Sequence, residues 1–389
     1  MKSKGNVCML LAKAYRPDPR VYKEATTLSK NGFGIYILSW DRECKYSKYE
    51  EDAKNQIFRF HFLRTRKYSL LTFPLSILLF NIVATLWALT KRIDYVHSND
   101  FDTLPAGFAI SKIKRVKLVY DAHESYVDAI APFVPTLAAS IVAMAESVLI
   151  RKAKYVITEN ESKKQILIKR GASKVYILPN YPMLSLFRDL DQANSKKALG
   201  LEGKFVILYI GEVMPGRNIE MLIELATLLK ARGIEDIVFM IVGTGVLLPQ
   251  IKKMVELKKL FRYFLFVEWV PPKDVPFYYA ASDIVYILLE PQPINMISMP
   301  NKIFEAIASG KVVLASNFGK IKEVVTSTGC GLLCNPTNTN EVVNNIIFLK
   351  NNPDLRRTIR RRTDEITQGY LSWEGVEHIL VNIYTKKYK

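Results

Sequence analysis

Asn301, Lys302 and Glu305 stand close together in the stretch "MISMPNKIFEAIASGKVVLAS", Met296–Ser316. Ile303, Phe304, Ile307 and Ala308 give this stretch an apolar helical face. Glu305 falls on one flank with Asn301, four residues earlier, and Lys302 lies just beyond. Ser298 can cap such a helix, Pro300 is tolerated in its first turn, and Gly310 ends it. A helix N-terminus carries partial positive charge and free N–H groups, so it can hold a diphosphate, and Lys302 adds a full charge beside it. Glu305, about one turn further in, suits a neutral diol such as ribose, because a carboxylate accepts two hydroxyl hydrogen bonds. On spacing alone, an ordinary amphipathic helix with a solvated lysine and glutamate accounts for the pattern equally well.

Other loops offer chemistry of their own. His123, in "YDAHE", follows a strand-like run; a neutral imidazole there can hydrogen-bond a hydroxyl or a reacting oxygen, or serve as a buried structural group. Gly243, in "VGTGVL", sits in a turn of phosphate-binding type, but the GxG lacks the GxxG continuation that would make it specific. Asp100 and Asp102, in "SNDFDTL", are helix-cap candidates first and ligands second. Cys8, Cys44, Cys330 and Cys334 show no zinc-type pairing, and no Asp-x-Asp pair lies beside the expected phosphate, so no metal is expected. Walker and GxSxG patterns are absent. The cysteine usage fits a reducing cytosol.

The elements that must position these residues alternate between short β-branched runs and longer helical patterns. Strands are expected at 7–12, 34–40, 57–63, 95–98, 116–121, 155–158 and 175–178 in the first half. In the second half they are expected at 205–210, 237–242, 264–267, 284–289, 312–315 and 331–333. Helices between them include 20–30, 219–231, 247–260 and 340–349. Continuous apolar strands alternating with helices imply parallel sheets covered on both faces, and there are too many strands for one ordinary sheet. The fold class is therefore α/β, with two doubly wound domains. The domains are expected at 1–182 and 183–372, with 373–389 a C-terminal helix packing back on the first. Ligands in such sheets bind beyond the carboxyl ends of the strands, which makes the cleft between the domains the expected site.

The 389 residues carry 55 Lys and Arg against 37 Asp and Glu, and this basic excess calls for an anionic partner. Nucleic acid is not favoured, since no RNP, zinc-finger or helix-turn-helix signature occurs. The apolar stretch 69–89 is about long enough to span a bilayer. A strand-like run follows it directly, which favours a helix packed on the sheet or lying at a membrane interface.

At "PNKIFEAIASGKVVLAS" the chain closely resembles the donor-site segment of retaining glycosyltransferases of the GT-B fold, family four (glycosyl transferases group 1). "DPRVYKEATTLSKNGFGIYILSW", "IDYVHSNDFDTLPAGFAISKIKRVKLVYDAHE" and "ILYIGEVMPGRNIEMLIELATLL" extend the resemblance over nearly the whole chain. It implies two Rossmann-like domains facing a central cleft. It also implies a nucleotide-diphosphate sugar as co-substrate with no further cofactor, metal-independent chemistry, and retention of the anomeric configuration. By the same resemblance Glu305 binds the ribose, Arg217 and Lys302 bind the diphosphate, and His123 lies near the donor sugar. Gly211 and Gly243 shape the nucleotide site, and Asn301 and Ser298 belong to it. Two positions depart from the pattern. Ile297 stands where the family has an acid, with Asn295 or the nearby backbone as a substitute, and Glu212 stands where it has an arginine. The N-terminal Gly-rich loop is replaced by "AYRPDPR", where Arg16 and Arg20 are available to a phosphate or an acceptor. The acceptor is expected to be a sugar, a lipid-linked molecule or a glycan of the cell envelope. The location is expected to be cytoplasmic, with peripheral contact of 69–89 and 133–150 at the membrane face. The rival readings are a sugar-nucleotide 2-epimerase of similar fold and an inactive sugar-nucleotide-binding homologue.

Overall fold

A computed structural model of the chain describes residues 4–15, 18–52, 55–62, 72–122, 134–187, 190–297, 299–369 and 371–385. The chain divides into two compact units. One comprises Met1–Asn180 with Val376–Lys389, and the other comprises Tyr181–Gly375.

In the first unit the strands are β1 (Asn6–Leu11), β2 (Gly34–Trp40), β3 (Tyr49–Asp52), β4 (Asn55–Phe60), β5 (Tyr95–Asn99), β6 (Lys117–Ala122), β7 (Tyr155–Thr158) and β8 (Val175–Ile177). Among the described residues they form one eight-stranded sheet in the order β3-β4-β2-β1-β5-β6-β7-β8. All pairings are parallel except β3 with β4. The sequence reading did not anticipate β3. Its residues, Tyr-Glu-Glu-Asp, are largely exposed, and a charged edge strand carries no apolar alternation to betray it. The helices are α1 (Pro19–Lys30), α2 (Thr72–Leu89), α3 (Leu104–Lys114), α4 (Thr136–Ile150) and α5 (Glu161–Lys169). Asp18 caps α1 by accepting from the Arg20 and Val21 N–H groups, and Pro19 occupies its first turn. Phe80, Ala84 and Ala88 of α2, Leu104 and Ile110 of α3, Ile150 of α4 and Leu167 of α5 share one core with Cys8, Leu10, Val96 and Tyr120.

In the second unit β9 (Phe205–Ile210), β10 (Ile237–Val242), β11 (Phe264–Val267), β12 (Ile284–Ile287), β13 (Val312–Ser316) and β14 (Gly331–Cys334) form a parallel sheet in the order β11-β10-β9-β12-β13-β14. The chain moves outward from β9 through β10 to β11, then crosses back to β12 beside β9. That reversal is the switch point at which an open sheet leaves a crevice for a ligand. The helices here are α6 (Gln192–Ala198), α7 (Met221–Ala231), α8 (Leu248–Leu257), α9 (Val275–Ala281), α10 (Pro293–Ile297), α11 (Lys302–Ala308), α12 (Gly319–Thr328), α13 (Thr339–Asn351) and α14 (Pro353–Gly369).

The last helix, α15 (Trp373–Tyr384), starts in the second unit and belongs to the first from Val376 onward. Leu380, Ile383 and Tyr384 are buried there; Tyr95 Oη donates to the Tyr384 carbonyl at 2.7 Å, and Thr27 Oγ1 donates to Glu377 at 2.7 Å. The divisions at 180/181 and 375/376 lie two residues before and three residues after the boundaries read from the sequence.

Candidate functional site

The loops that leave β9, β10 and β12 collect most of the residues singled out by type and spacing. Gly211, directly after β9, has φ +127°, and Gly243, directly after β10, has φ +139°. A Cβ on Gly243 would come within 2.0 Å of the Gly211 carbonyl oxygen, so the two turns close backbone on backbone and only glycine fits at 243. The Lys302 ammonium reaches the same corner. It lies 4.3 Å from the centre of the Tyr209 ring and 3.5 Å from where a Cβ on Gly211 would stand. Tyr209 is held in turn by its hydroxyl, which donates to the Glu212 carbonyl at 2.6 Å.

The electrostatics of this corner are unbalanced. Lys302 is lowered to about 7, first by burial and then by the neighbouring positive charge of Arg217, with Glu305 acting in the opposite direction. Some of the side chain remains solvent-accessible, so water screens part of this cost. Two cations face one carboxylate. Tyr279, buried on α9, orients that carboxylate: its hydroxyl donates to Glu305 Oε2 at 2.9 Å and to the Lys302 carbonyl at 3.2 Å. Burial and Glu305 together hold the Tyr279 phenol well above its ordinary value, so it remains a donor.

Several expectations need correction. The helix begins at Lys302, not near Ser298, and has only seven residues, so Pro300 precedes it and its dipole is smaller than a longer helix would supply. Asn301 is its N-cap but makes no side-chain capping bond. Ser298 lies outside the described residues, as do His123 and Arg16. Asn295 is buried, and its amide nitrogen donates to the carbonyls of Gly216 (3.1 Å) and Glu290 (2.9 Å). Asp100 heads the 3-10 turn Phe101–Thr103 without a side-chain cap bond. Asp102 is raised to about 7, mainly by burial and by Asp100.

Arg20 is likewise not available to a phosphate. Its Nε and Nη2 donate to the two carboxylate oxygens of Asp121, each at 2.8 Å, and its Nη1 donates to the Leu178 carbonyl at 3.0 Å. Glu24 stands 3.3 Å from its Nε. His97 Nε2 lies 3.5 Å from Glu24 and 3.8 Å from Asp121, and its Nδ1 lies 2.6 Å from the Tyr384 hydroxyl. Glu24, His97 and Asp121 bring potential ligand atoms within 4.8 Å of one another. The guanidinium already engages both Asp121 oxygens and supplies the positive charge at this point, so the cluster is a buried ion-pair network rather than a metal cradle. Burial by itself would lower Arg20; Asp121 and Glu24 outweigh it and hold the group above its usual value.

A cavity of about 270 Å³ lies at the opposite, amino-terminal ends of the same strands, lined by Phe187, Gln192, Lys311, Arg360 and Asp364 among others. Lys311 donates there to the carbonyls of Ala280 and Ser282 at 2.9 and 2.8 Å, and the cavity is remote from Gly211 and Lys302 along the strand axis. Tyr209 and Tyr279 are the site residues that sequence reasoning missed. Nothing in their local pattern connects Tyr279 to Glu305, 26 residues away.

Residues 191–365 match the family model "Glycosyl transferases group 1", and residues 20–181 match "Glycosyltransferase Family 4". An alpha-D-kanosaminyltransferase of Streptomyces kanamyceticus is 21% identical over 71% of this chain and 72% of its own length. An alpha-monoglucosyldiacylglycerol synthase of Acholeplasma laidlawii is 22% identical over 72% of each chain. The crystal structure of Anabaena HepE in complex with UDP-glucose superposes with a TM-score of 0.70 over 98% of this chain and all of the other, at 16% identity. The two Rossmann-like sheets are those of the GT-B fold. Two glycosyltransferase family models in sequence, one over each unit, identify the chain as a glycosyltransferase.

Proposed function

We propose that the protein moves a hexosyl group from a nucleoside-diphosphate sugar to a sugar, lipid-linked or glycan acceptor, with retention of configuration and without a metal. The observation that carries this reading is the excess of positive charge at Lys302 and Arg217, beside the close-packed turns of Gly211 and Gly243. A pyrophosphate supplies the negative charge this corner lacks, and binding one restores the Lys302 proton at neutral pH. When the glycosidic bond breaks, charge develops on the departing diphosphate, and two preorganised cations stabilise that charge. In a front-face displacement the acceptor oxygen bonds to the anomeric carbon as the bond to the phosphate oxygen breaks, and that phosphate oxygen takes the acceptor's proton. No protein nucleophile is needed. Glu305, held by Tyr279, accepts from the ribose hydroxyls. The UDP-glucose in the HepE complex supports a sugar nucleotide as donor, and the name of the Acholeplasma relative supports a lipid acceptor. A peripheral position at the cytoplasmic membrane face, in cell-envelope synthesis, belongs with such an acceptor.

Ile297 favours one second reading, because the acid that would contact the donor sugar is absent and a chain that binds but does not transfer would tolerate this. A thermal-shift screen of UDP-, GDP-, ADP- and TDP-sugars, with and without chelator, tests the first reading. We expect stabilisation by one donor class, unchanged by chelator, and slow release of free nucleoside diphosphate from that donor. Stabilisation without any turnover over a panel of acceptors would favour the binding homologue; no stabilisation by any donor would reject both.

A further inference from the structure

The helical layer that covers one face of the first sheet is apolar on its outside as well as its inside. On α2, Leu75, Leu78, Ile82 and Leu86 recur at intervals of three, four and four residues, and each is about half exposed or more. On α4, Leu137, Ile141, Met144 and Val148 recur at intervals of four, three and four, with Leu137 75% and Met144 66% exposed. The opposite sides of the same helices, Phe80, Ala84 and Ala88 on α2 and Ile150 on α4, are already buried in the core under the sheet. Core packing therefore does not explain the outer stripes. α3 packs between the two helices and adds Ile113, 60% exposed. Eight large apolar side chains exposed in two rows are more than the singly scattered apolar residues that a soluble monomer normally shows. By contrast, the outer face of α14 in the second unit is a row of arginines and acids, including Arg357, Arg361 and Glu365.

The charge around the layer points to what covers it. α2, α3 and α4 each lead into a parallel strand, so their C-terminal ends lie along one edge. That edge carries Lys91 and Arg92 after α2, Lys112, Lys114 and Arg115 at the end of α3, and Arg151, Lys152 and Lys154 after α4, against one exposed acid, Asp94, whose carboxylate accepts from the Asn6 N–H at 2.8 Å. The three helices hold one acid, Glu146, which is buried and accepts from the Tyr120 hydroxyl at 2.7 Å. Apolar rows edged by cations match an anionic lipid surface, where the headgroups meet the basic edge and the aliphatic rows enter the acyl boundary. No helix among the described residues is long and apolar enough to cross a membrane, so the layer would lie on the bilayer rather than span it.

We propose that the outer face of α2, α3 and α4 is a monotopic docking surface for anionic phospholipid. This rests on the glycosyltransferase reading only in that it places a membrane-bound acceptor within reach of the first unit. The test is co-sedimentation of the full chain with vesicles of phosphatidylglycerol and phosphatidylcholine, against vesicles of phosphatidylcholine alone. The wild-type chain should bind the anionic vesicles, and salt should weaken that binding. Leu78→Ser with Leu86→Ser on α2, combined with Ile141→Ser and Met144→Ser on α4, should lower partitioning at least about tenfold. Lys91→Gln, Arg92→Gln and Arg151→Gln should each lower it about fivefold on anionic vesicles and hardly change it on neutral ones. Thermal shift by the donor nucleotide, read in the same variants, should be unchanged, because none of these residues belongs to the second unit. Wild-type protein that ignores anionic vesicles, or variants that bind them as well as wild type, would overturn the proposal and leave the donor site untouched. A wild-type dimer that the four serine substitutions dissociate, with no vesicle binding, would assign the face to a second copy and overturn it equally. Vesicle binding without any nucleotide response would instead sink the enzymatic reading and leave the surface standing.

Discussion

Two ionic centres, one in each unit, are built on opposite principles. In the first unit Arg20 is answered on every side, by both oxygens of Asp121, by Glu24 and by the Leu178 carbonyl. In the second unit the partly buried Lys302 stands next to another cation, Arg217, with Glu305 as the nearby acid. The first centre is closed and the second is short of negative charge. Both sequences place an arginine or lysine at the start of a helix, so residue type does not separate them; the balance of the surrounding charge does. A closed network contributes to the fold, and an open one costs stability until an anion arrives.

Removing charge from each centre should therefore have opposite consequences. The largest effect is expected for Arg20→Ala, which leaves Asp121 and Glu24 buried without their cation. Urea unfolding of the full chain should show a loss of about 3–5 kcal/mol, and a loss below 1 kcal/mol would break the contrast. Lys302→Met should do the reverse: ligand-free stability at pH 6 unchanged or raised by about 1 kcal/mol, discounted for the partial exposure of the side chain. Titration calorimetry should show nucleoside-diphosphate affinity reduced about 10- to 100-fold, as for a lost charge-assisted bond.

pH sharpens the same comparison. Lys302 in the folded, ligand-free protein sits at about 7, below the 10.5 of a free lysine. Between these values the unfolded chain binds more protons than the folded one, so ligand-free stability should rise as pH increases from about 7 towards 10.5. Below pH 7 the cost of the buried charge is fully present. A bound diphosphate favours the protonated lysine, so the affinity for a nucleoside-diphosphate sugar, whose phosphates stay ionised throughout this range, should be greatest below about pH 7 and fall as pH rises above it, by at most tenfold per unit. Calorimetry across that range checks the slope, which should vanish in Lys302→Met. The smallest effect is expected for Tyr279→Phe. Losing the hydroxyl that orients Glu305 should weaken a nucleoside diphosphate about two- to tenfold, as for one hydrogen bond, while leaving inorganic pyrophosphate unaffected. An equal loss for both ligands would place Tyr279 in general packing instead.

Much of this protein was open to reading before any coordinates. Continuous apolar runs located β2, β7, β9, β10 and β11 to the residue; β7, β9 and β10 are buried throughout, and a strand buried on both faces admits few polar positions. Gly243 stands out in the sequence by its GxG turn and Gly211 by the family resemblance; the structure gives both positive φ, which glycine adopts without steric cost. The strand β3 escaped because an exposed charged edge has no periodic signature. Arg20 was misread because, within the segment "AYRPDPR", an arginine meant for phosphate and one meant for a buried Asp look identical. Its partner lies 101 residues on, in β6.

Sequence alone determined the class of fold, the order of its elements and the residue types gathered at the strand ends, since these follow from local periodicity and backbone sterics. Only the tertiary structure decided which cations are neutralised and which are not, that Tyr279 reaches Glu305, and that α2 and α4 turn a second apolar row outward. Charge balance and exposure are properties of what lies within a few ångströms in space, and chain order does not encode that distance directly.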